Sequence, residues 1–264
     1  MKFQVLVSTM NRTDFDLLNQ MNIKCDAVVI NQCDNNEVFT LKRDGYVVNW
    51  YNVNDIGLSK SRNLALNFAN ADICLITDDD VVFIDDFSKK IADFYKEYDD
   101  VDIATFQFIN FNRKTYMRKI KKIGYLKSMK VSSVEISFRT ESIRDNNLVF
   151  NEMFGAGSKY VMGEENIFLF KALKKGLSIF SVPVLIGELS DHSTSTWFRG
   201  FNETFFISRG ASFEAMTSKL SWLLVIQYAL RKHKLYCKEV SFFRVLKWMW
   251  SGRIEYRFKV KIKE

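Results

Sequence analysis

At 264 residues and 47% apolar content, the chain can form a substantial α/β domain plus a further segment, which excludes a disordered protein or a small disulfide-stapled one. A single proline, Pro183, and 11 glycines leave no Pro/Gly/Ser linker, low-complexity tract or repeat. The net charge of +7 is uneven: Lys219 to Glu264 holds 12 Lys/Arg against 3 Asp/Glu, so this stretch carries +9 and residues 1–218 carry −2.

The run Phe3 to Val7 is apolar and β-prone, and it gives way to the polar Ser8, Thr9, Met10, Asn11 and Arg12 before a short helical pattern headed by Thr13. Met1 to Thr9 is too brief an apolar stretch for a secretory signal, which predicts a cytoplasmic protein. Ala27 to Ile30 is a second strand, ending in Asn31 and Gln32, and Val47 to Tyr51 a third, before Gly57. Ser59 caps a predicted helix over Lys60 to Ala69, with Leu64 and Phe68 on one face. A fourth strand, Ile73 to Thr77, stops at Asp78, Asp79 and Asp80; Phe87, Ile91, Phe94 and Tyr98 then recur at helical spacing, and Ile103 to Phe108 is a further strand.

From Arg113 to Lys130 runs a loop with eight Lys/Arg and no acid, either plainly solvated or closing on an anionic ligand. Val134 to Arg139 is a strand, Glu164 to Lys175 a helix closed by Gly176, and Ser178 to Val182 another strand. Strands alternating with helices predict a mostly parallel sheet covered on both faces, with ligands beyond the carboxyl ends of its strands. The four cysteines, Cys25, Cys33, Cys74 and Cys237, lack a paired spacing and read as reduced, buried thiols.

The domain boundaries expected are 1–218 for a catalytic body, with halves 1–110 and 111–218, and 219–264 for a basic, aromatic helical extension. Within the extension, Trp222 to Leu230 is apolar apart from Gln227, too short to span a bilayer. Phe242, Phe243, Val245, Leu246, Trp248, Met249 and Trp250, interleaved with Arg244, Lys247 and Arg253, fit two readings: an amphipathic helix on an anionic membrane, or a helix packed on the body. Basic residues in the company of indoles and bulky aliphatics argue against nucleic acid.

Asp78, Asp79 and Asp80 carry the chemistry most plainly. Three adjacent carboxylates repel one another unless a cation or strong donors offset them. A divalent ion there would neutralise a departing diphosphate; a solvated acidic turn is the bland alternative. In order along the chain stand Ser8 to Arg12, Gly57-Leu58-Ser59-Lys60-Ser61-Arg62-Asn63, the aspartate triplet, Phe154-Gly155-Ala156-Gly157 and Gly163-Glu164-Glu165. In these pieces, over Met1 to Trp197, the chain resembles the inverting GT-A glycosyltransferases of family 2, including bacterial enzymes of surface polysaccharide synthesis.

The resemblance implies a Rossmann-like α/β fold, a mixed sheet with helices on both faces, and transfer from a nucleotide sugar, a UDP-sugar foremost, to a saccharide or lipid-linked saccharide. It places Ser8, Thr9 and Asn11 in the nucleoside pocket, Asn31 and Gln32 near the base, Lys60 or Arg62 beside the base or phosphates, and Asp78 and Asp79 at the donor. Asp78, Asp80 and His192 would hold Mn²⁺ or Mg²⁺. Glu165 stands where the family has an aspartate base; either it or Glu164 would take the acceptor's proton, the other binding acceptor hydroxyls. Trp197 is an acceptor-stacking candidate or a core plug. Residence on the inner face of the cell membrane follows, with self-association left open. Two rivals are a sugar-phosphate nucleotidyltransferase, for which the N-terminal Gly-rich phosphate loop is missing, and a non-catalytic carbohydrate- or membrane-binding protein on the same fold.

Overall fold

The computed structural model describes residues 1–43, 45–109, 118–190 and 198–263. In chain order the first elements are β1 (Phe3–Met10), α1 (Leu17–Gln20), β2 (Ala27–Gln32), β3 (Glu37–Arg43), β4 (Tyr46–Val53), α2 (Leu58–Phe68), β5 (Ile73–Asp78), β6 (Val81–Phe83), α3 (Phe87–Glu97) and β7 (Ile103–Ile109). There follow β8 (Lys121–Lys122), α4 (Tyr125–Ser128), β9 (Ile136–Arg139), α5 (Thr140–Asp145), α6 (Glu164–Lys174), β10 (Ile179–Leu189), α7 (Glu203–Met216), α8 (Ser221–Arg231), α9 (His233–Tyr236) and α10 (Phe242–Lys263). Two compact units result: one of residues 1–56, 60–150 and 168–193, the other of residues 57–59, 151–167 and 194–264.

The first unit is built on one mixed sheet in the order β3-β4-β2-β1-β5-β9-β7-β10-β6, with β8 added against β10. β1 runs parallel to β2 and β5, and β2 parallel to β4, so their carboxyl ends share an edge. Alternation explains why these strands are continuous apolar runs. Val5 and Val7 of β1 enter a core with Leu17, Leu18, Phe87 and Ile91, while Leu6 enters the core on the other face with Ala65, Leu66, Phe168 and Leu169.

The structure corrects several boundaries. β3 was not expected; it is a largely exposed edge strand whose ladder with β4 closes through Gly45 at φ +85°. β10 continues past Pro183 to Leu189, and its register against β7 shifts between Ser181 and Leu185, the kind of bulge that accommodates a proline inside a sheet. The expected basic loop contains β8 and α4 in its described part; Arg113 and Lys114 lie outside the described residues. All four cysteines are free thiols, but only Cys74 is fully buried and Cys237 is exposed.

The second unit is helical. α7 and α10 cross at two glycines: a Cβ on Gly210 would overlap the Met249 carbonyl, and one on Gly252 the Ile207 carbonyl. Beside the crossing, Glu214 is almost fully buried and accepts from Arg257 Nε at 2.7 Å and lies 3.0 Å from Arg253 Nε; Arg253 also donates to Ser221 Oγ at 2.6 Å. Residues 219–264 therefore pack with α7, and α10 spends one face on it. No helix among the described residues is long and apolar enough to cross a membrane.

Candidate active site

The parallel register of the first unit lines up the polar residues that end each strand: Ser8 stands opposite Asp78, Thr9 opposite Asn31, and Asn31 opposite Asn52. Three consecutive residues of α2 then reach three different partners. Ser61 donates to Ser8 Oγ at 2.9 Å, and Arg62 Nη2 donates to both oxygens of Asp78 at 2.8 and 3.0 Å. Asn63 bonds both the N–H and the C=O of Phe150, at 2.8 and 3.1 Å. The Phe150 ring lies 5.5 Å from the Arg62 guanidinium, so Asn63 fixes the ring on which Arg62 rests. Ser133 adds a donor to Asp78 at 3.3 Å.

Asp79 is met in the same way. Its Oδ2 accepts from Thr9 Oγ1 at 2.6 Å and from Arg12 Nη2 at 3.2 Å. Two of the three aspartates are thus offset by the chain's own guanidinium groups, which answers part of the repulsion that calls for a cation. Asp80 is anchored through its backbone, whose carbonyl accepts from Ser190 N–H at 2.9 Å.

Arg12 holds its place because of Asn31. The Asn31 side chain is wholly buried; its Oδ1 accepts from Arg12 N–H at 3.0 Å, and its Nδ2 donates to Arg12 C=O at 2.9 Å and to Asn52 Oδ1 at 2.8 Å. Asn52 Oδ1 also accepts from Trp50 Nε1 at 2.9 Å. Asn31, expected beside the base, has committed its amide to the Arg12 peptide. Preceding it in the loop, Asn11 adopts φ +53°, a left-handed conformation that Asn tolerates better than most residues. The loop and the β3–β4 hairpin border a cavity of about 360 Å³ whose walls include Arg12, Phe15, Asp34, Phe39, Trp50 and Asn52.

Of the other expected donor residues, Ser8, Thr9 and Gln32 are buried, Gln32 Nε2 lying 3.5 Å from the Thr9 carbonyl. Lys60 is half-exposed and pairs with Asp55 at 2.6 Å. His192 and Trp197 lie outside the described residues. Among the described residues no three His, Cys, Asp or Glu side chains converge as a ready metal cage. The donor set nonetheless suits Mg²⁺ or Mn²⁺, which take one or two carboxylates and fill the remaining positions with substrate phosphates and water. An ionised carboxylate has about four lone-pair sites, so Asp78 can serve Arg62 and a cation together.

In the second unit, Gly163 at φ +95° turns the chain into α6, and a side chain there would strike Ser212 Cβ at 2.7 Å. Glu164 is buried, its carboxyl carbon 3.4 Å from where a Cβ on Gly155 would lie, whereas Glu165 is partly exposed. Gly155 at φ +104° and Gly157 at φ +76° shape the preceding turn, and Ser59 Oγ donates to the Phe154 carbonyl at 2.7 Å. Tyr160 packs on Phe154 and Tyr256, and burial pushes its phenol up to about 12. Both glutamates occupy the first turn of α6.

Residues 42–165 match the model of Glycosyl transferase family 2. Over these residues, a little under half of the chain, the protein is similar to family 2 glycosyltransferases. S. aureus TarS residues 1–349 in complex with UDP-GlcNAc share 15% identity with this glycosyltransferase at a TM-score of 0.61, over 98% of this chain and 92% of that one. S. aureus TarS, in a longer form, aligns at 16% identity and a TM-score of 0.62, over 97% of this chain and 54% of its own. The mannosyltransferase PcManGT from Pyrobaculum calidifontis, in complex with GDP-Man and Mn²⁺, aligns at 10% identity and a TM-score of 0.55, over 98% of this chain and 87% of its own. At these identities the likeness is one of fold, and that fold is GT-A. No curated protein sequence matches the chain. The residues of this edge to which the sequence assigned no role are Arg12, Asn52, Asn63 and Phe150. Arg12 and Asn63 stood inside the quoted motifs, and an amide next to an arginine was the available signal.

Proposed function

We propose that this glycosyltransferase moves a sugar from a nucleoside diphosphate donor, a UDP-sugar, to a hydroxyl of a saccharide or lipid-linked saccharide in bacterial surface polysaccharide synthesis, inverting the anomeric carbon. The observation that carries the reading is the polar strand edge of the first unit, where Arg62 and Arg12 hold Asp78 and Asp79 ahead of Asp80. Side chains already bonded to the protein need little reorganisation when charge develops on a leaving group. Arg12, only partly shielded, is the guanidinium placed to meet an anionic donor.

Asp80 and Asp78, with His192 from outside the described residues, would hold Mn²⁺ or Mg²⁺, an ion that neutralises a departing diphosphate when bound. Glu165 is the base: partly exposed at a helix start, it accepts the acceptor hydroxyl's proton as that oxygen bonds to the anomeric carbon and the bond to the diphosphate breaks. Glu164, buried against the Gly155 turn, holds the local backbone and acceptor-facing shape.

The test is release of UDP from a panel of UDP-sugars with acceptor saccharides, in Mn²⁺ or Mg²⁺ and after chelation, for the parent, Asp80→Ala and Glu165→Gln. Asp80→Ala is expected to lose donor binding, read as loss of thermal stabilisation by UDP. Glu165→Gln keeps that stabilisation and loses transfer by roughly 10²–10⁴-fold. Parent-rate transfer by both variants would end these assignments.

A further inference from the structure

The second unit buries one side of its helices and leaves the other apolar. In α8, Ser221, Val225 and Ala229 are fully buried, yet Trp222, Leu223, Ile226 and Leu230 on the opposite side are exposed, Leu230 to 62%. In α10 the side facing α7 is Val245, Met249 and Gly252, while Phe243, Trp250, Ile254 and Phe258 recur seven, four and four residues apart on the far side, Phe243 at 80% exposure. A helix that has already met its packing partner gains nothing from a second apolar stripe unless something outside the fold covers it.

The charge pattern says what covers it. Lys219 precedes α8, Arg231 ends it, Lys234 stands on α9, and Arg244 and Lys247 stand on α10, all exposed, in a stretch whose net charge is +9. Protein interfaces deplete lysine at their core. Membrane-surface helices combine indoles and aliphatics with flanking Lys and Arg whose stems lie along the apolar layer and whose heads meet phosphates. We propose that the exposed apolar faces of α8 and α10 dock on an anionic phospholipid surface, without spanning it. The expected interfacial segment Phe242 to Trp250 is thereby divided: Val245 and Met249 belong to the fold, and α8 supplies much of the lipid-facing surface. This inference is independent of the transfer chemistry, because binding is measured with neither donor nor acceptor.

The experiment is co-sedimentation of the full chain with phosphatidylcholine vesicles and with vesicles in which part of the phosphatidylcholine is replaced by phosphatidylglycerol. Two variants accompany it, Leu223→Asn with Leu230→Asn, and Arg231→Glu with Lys234→Glu; all four positions are exposed, and circular dichroism verifies their folding. The parent is expected to bind the phosphatidylglycerol vesicles far more strongly, with added salt weakening it. Each lost positive charge weakens binding by about fivefold, and the asparagine pair abolishes it. Failure to bind phosphatidylglycerol vesicles, or binding unaffected by both variants, overturns the proposal. So does a dimer by light scattering that the asparagine pair dissolves, since the face would then belong to a second copy of the chain.

Discussion

Replacing Arg62 by Met removes the guanidinium that reaches both oxygens of Asp78 while keeping an unbranched side chain of similar reach. The Arg62 side chain is 1% exposed and that of Asp78 28%, so the pair is shielded without being dry. Removing one member of a buried pair costs about 3–5 kcal/mol, because the survivor stays desolvated and uncompensated. Partial access of Asp78 to water and its bond from Ser133 put the loss at the lower end, about 3 kcal/mol. In a chain of this size that lowers the melting midpoint by roughly 6–10 °C. Asp78→Asn removes the opposite charge, so Arg62→Met with Asp78→Asn no longer strands a carboxylate; the double-mutant cycle in urea should return a coupling of about 2 kcal/mol. Phe150→Leu separates the ring contact from the ion pair. Were Arg62→Met to melt within about 1 °C of the parent, far less than a stranded buried charge requires, the view that Arg62 meets the charge of Asp78 would be wrong.

Two further outcomes follow from packing and from burial. Gly210→Ala forces a methyl group into the Met249 carbonyl and should destabilise the second unit by about 3 kcal/mol, whereas Gly45→Ala, with open space around it, costs only its left-handed φ; urea midpoints of the two variants give the comparison. Burial pushes the Cys74 thiol up to about 11, against the opposing bond with Thr140. A raised thiol favours the neutral form in the folded state, so this contribution is intact below the ordinary value of 9.0 and is lost as pH rises from there toward about 11. A thiol reagent on the native protein should therefore modify exposed Cys237 first and reach Cys74 only on unfolding; prompt labelling of Cys74 would contradict its burial.

The strands that could be read from sequence are those buried on both faces, because burial of Val5, Leu6 and Val7 alike makes an unbroken apolar run. β1 extends beyond that run through Thr9 and Met10, whose backbones pair with Asn31 and Gln32 even though one side chain is polar and the other exposed. β3 was illegible because its side chains mostly face water and only its ladder with β4 makes it a strand. β10 was cut short at Val182 because proline ends most strands, and the bulge that rescues it is a property of the sheet. The α8 face was legible as an apolar run, but which of its sides would be left outside depended on Val225 and Ala229 packing inward.

At the site, residue types were legible and partnerships were not. Asp78 and Arg62 are 16 residues apart in sequence, and they meet because β5 lies beside β1 while α2 packs over that face. Asn31 and Asn63 show why a pocket residue cannot be assigned from chemistry alone. Asn31 near the end of β2 and Asn63 in the middle of α2 are amides as suitable for a nucleobase as for a peptide. Each is instead closed on a backbone N–H and C=O, of Arg12 in one case and Phe150 in the other. A side-chain amide with two such bonds imitates one rung of a β-ladder, holding a loop residue as firmly as a strand neighbour would. Arg12 and the ring beneath Arg62 are thus set by two asparagines, Asn31 fully buried and Asn63 partly so, and the placement of both arginines at this edge rests on amides that meet only the protein's own backbone and side chains.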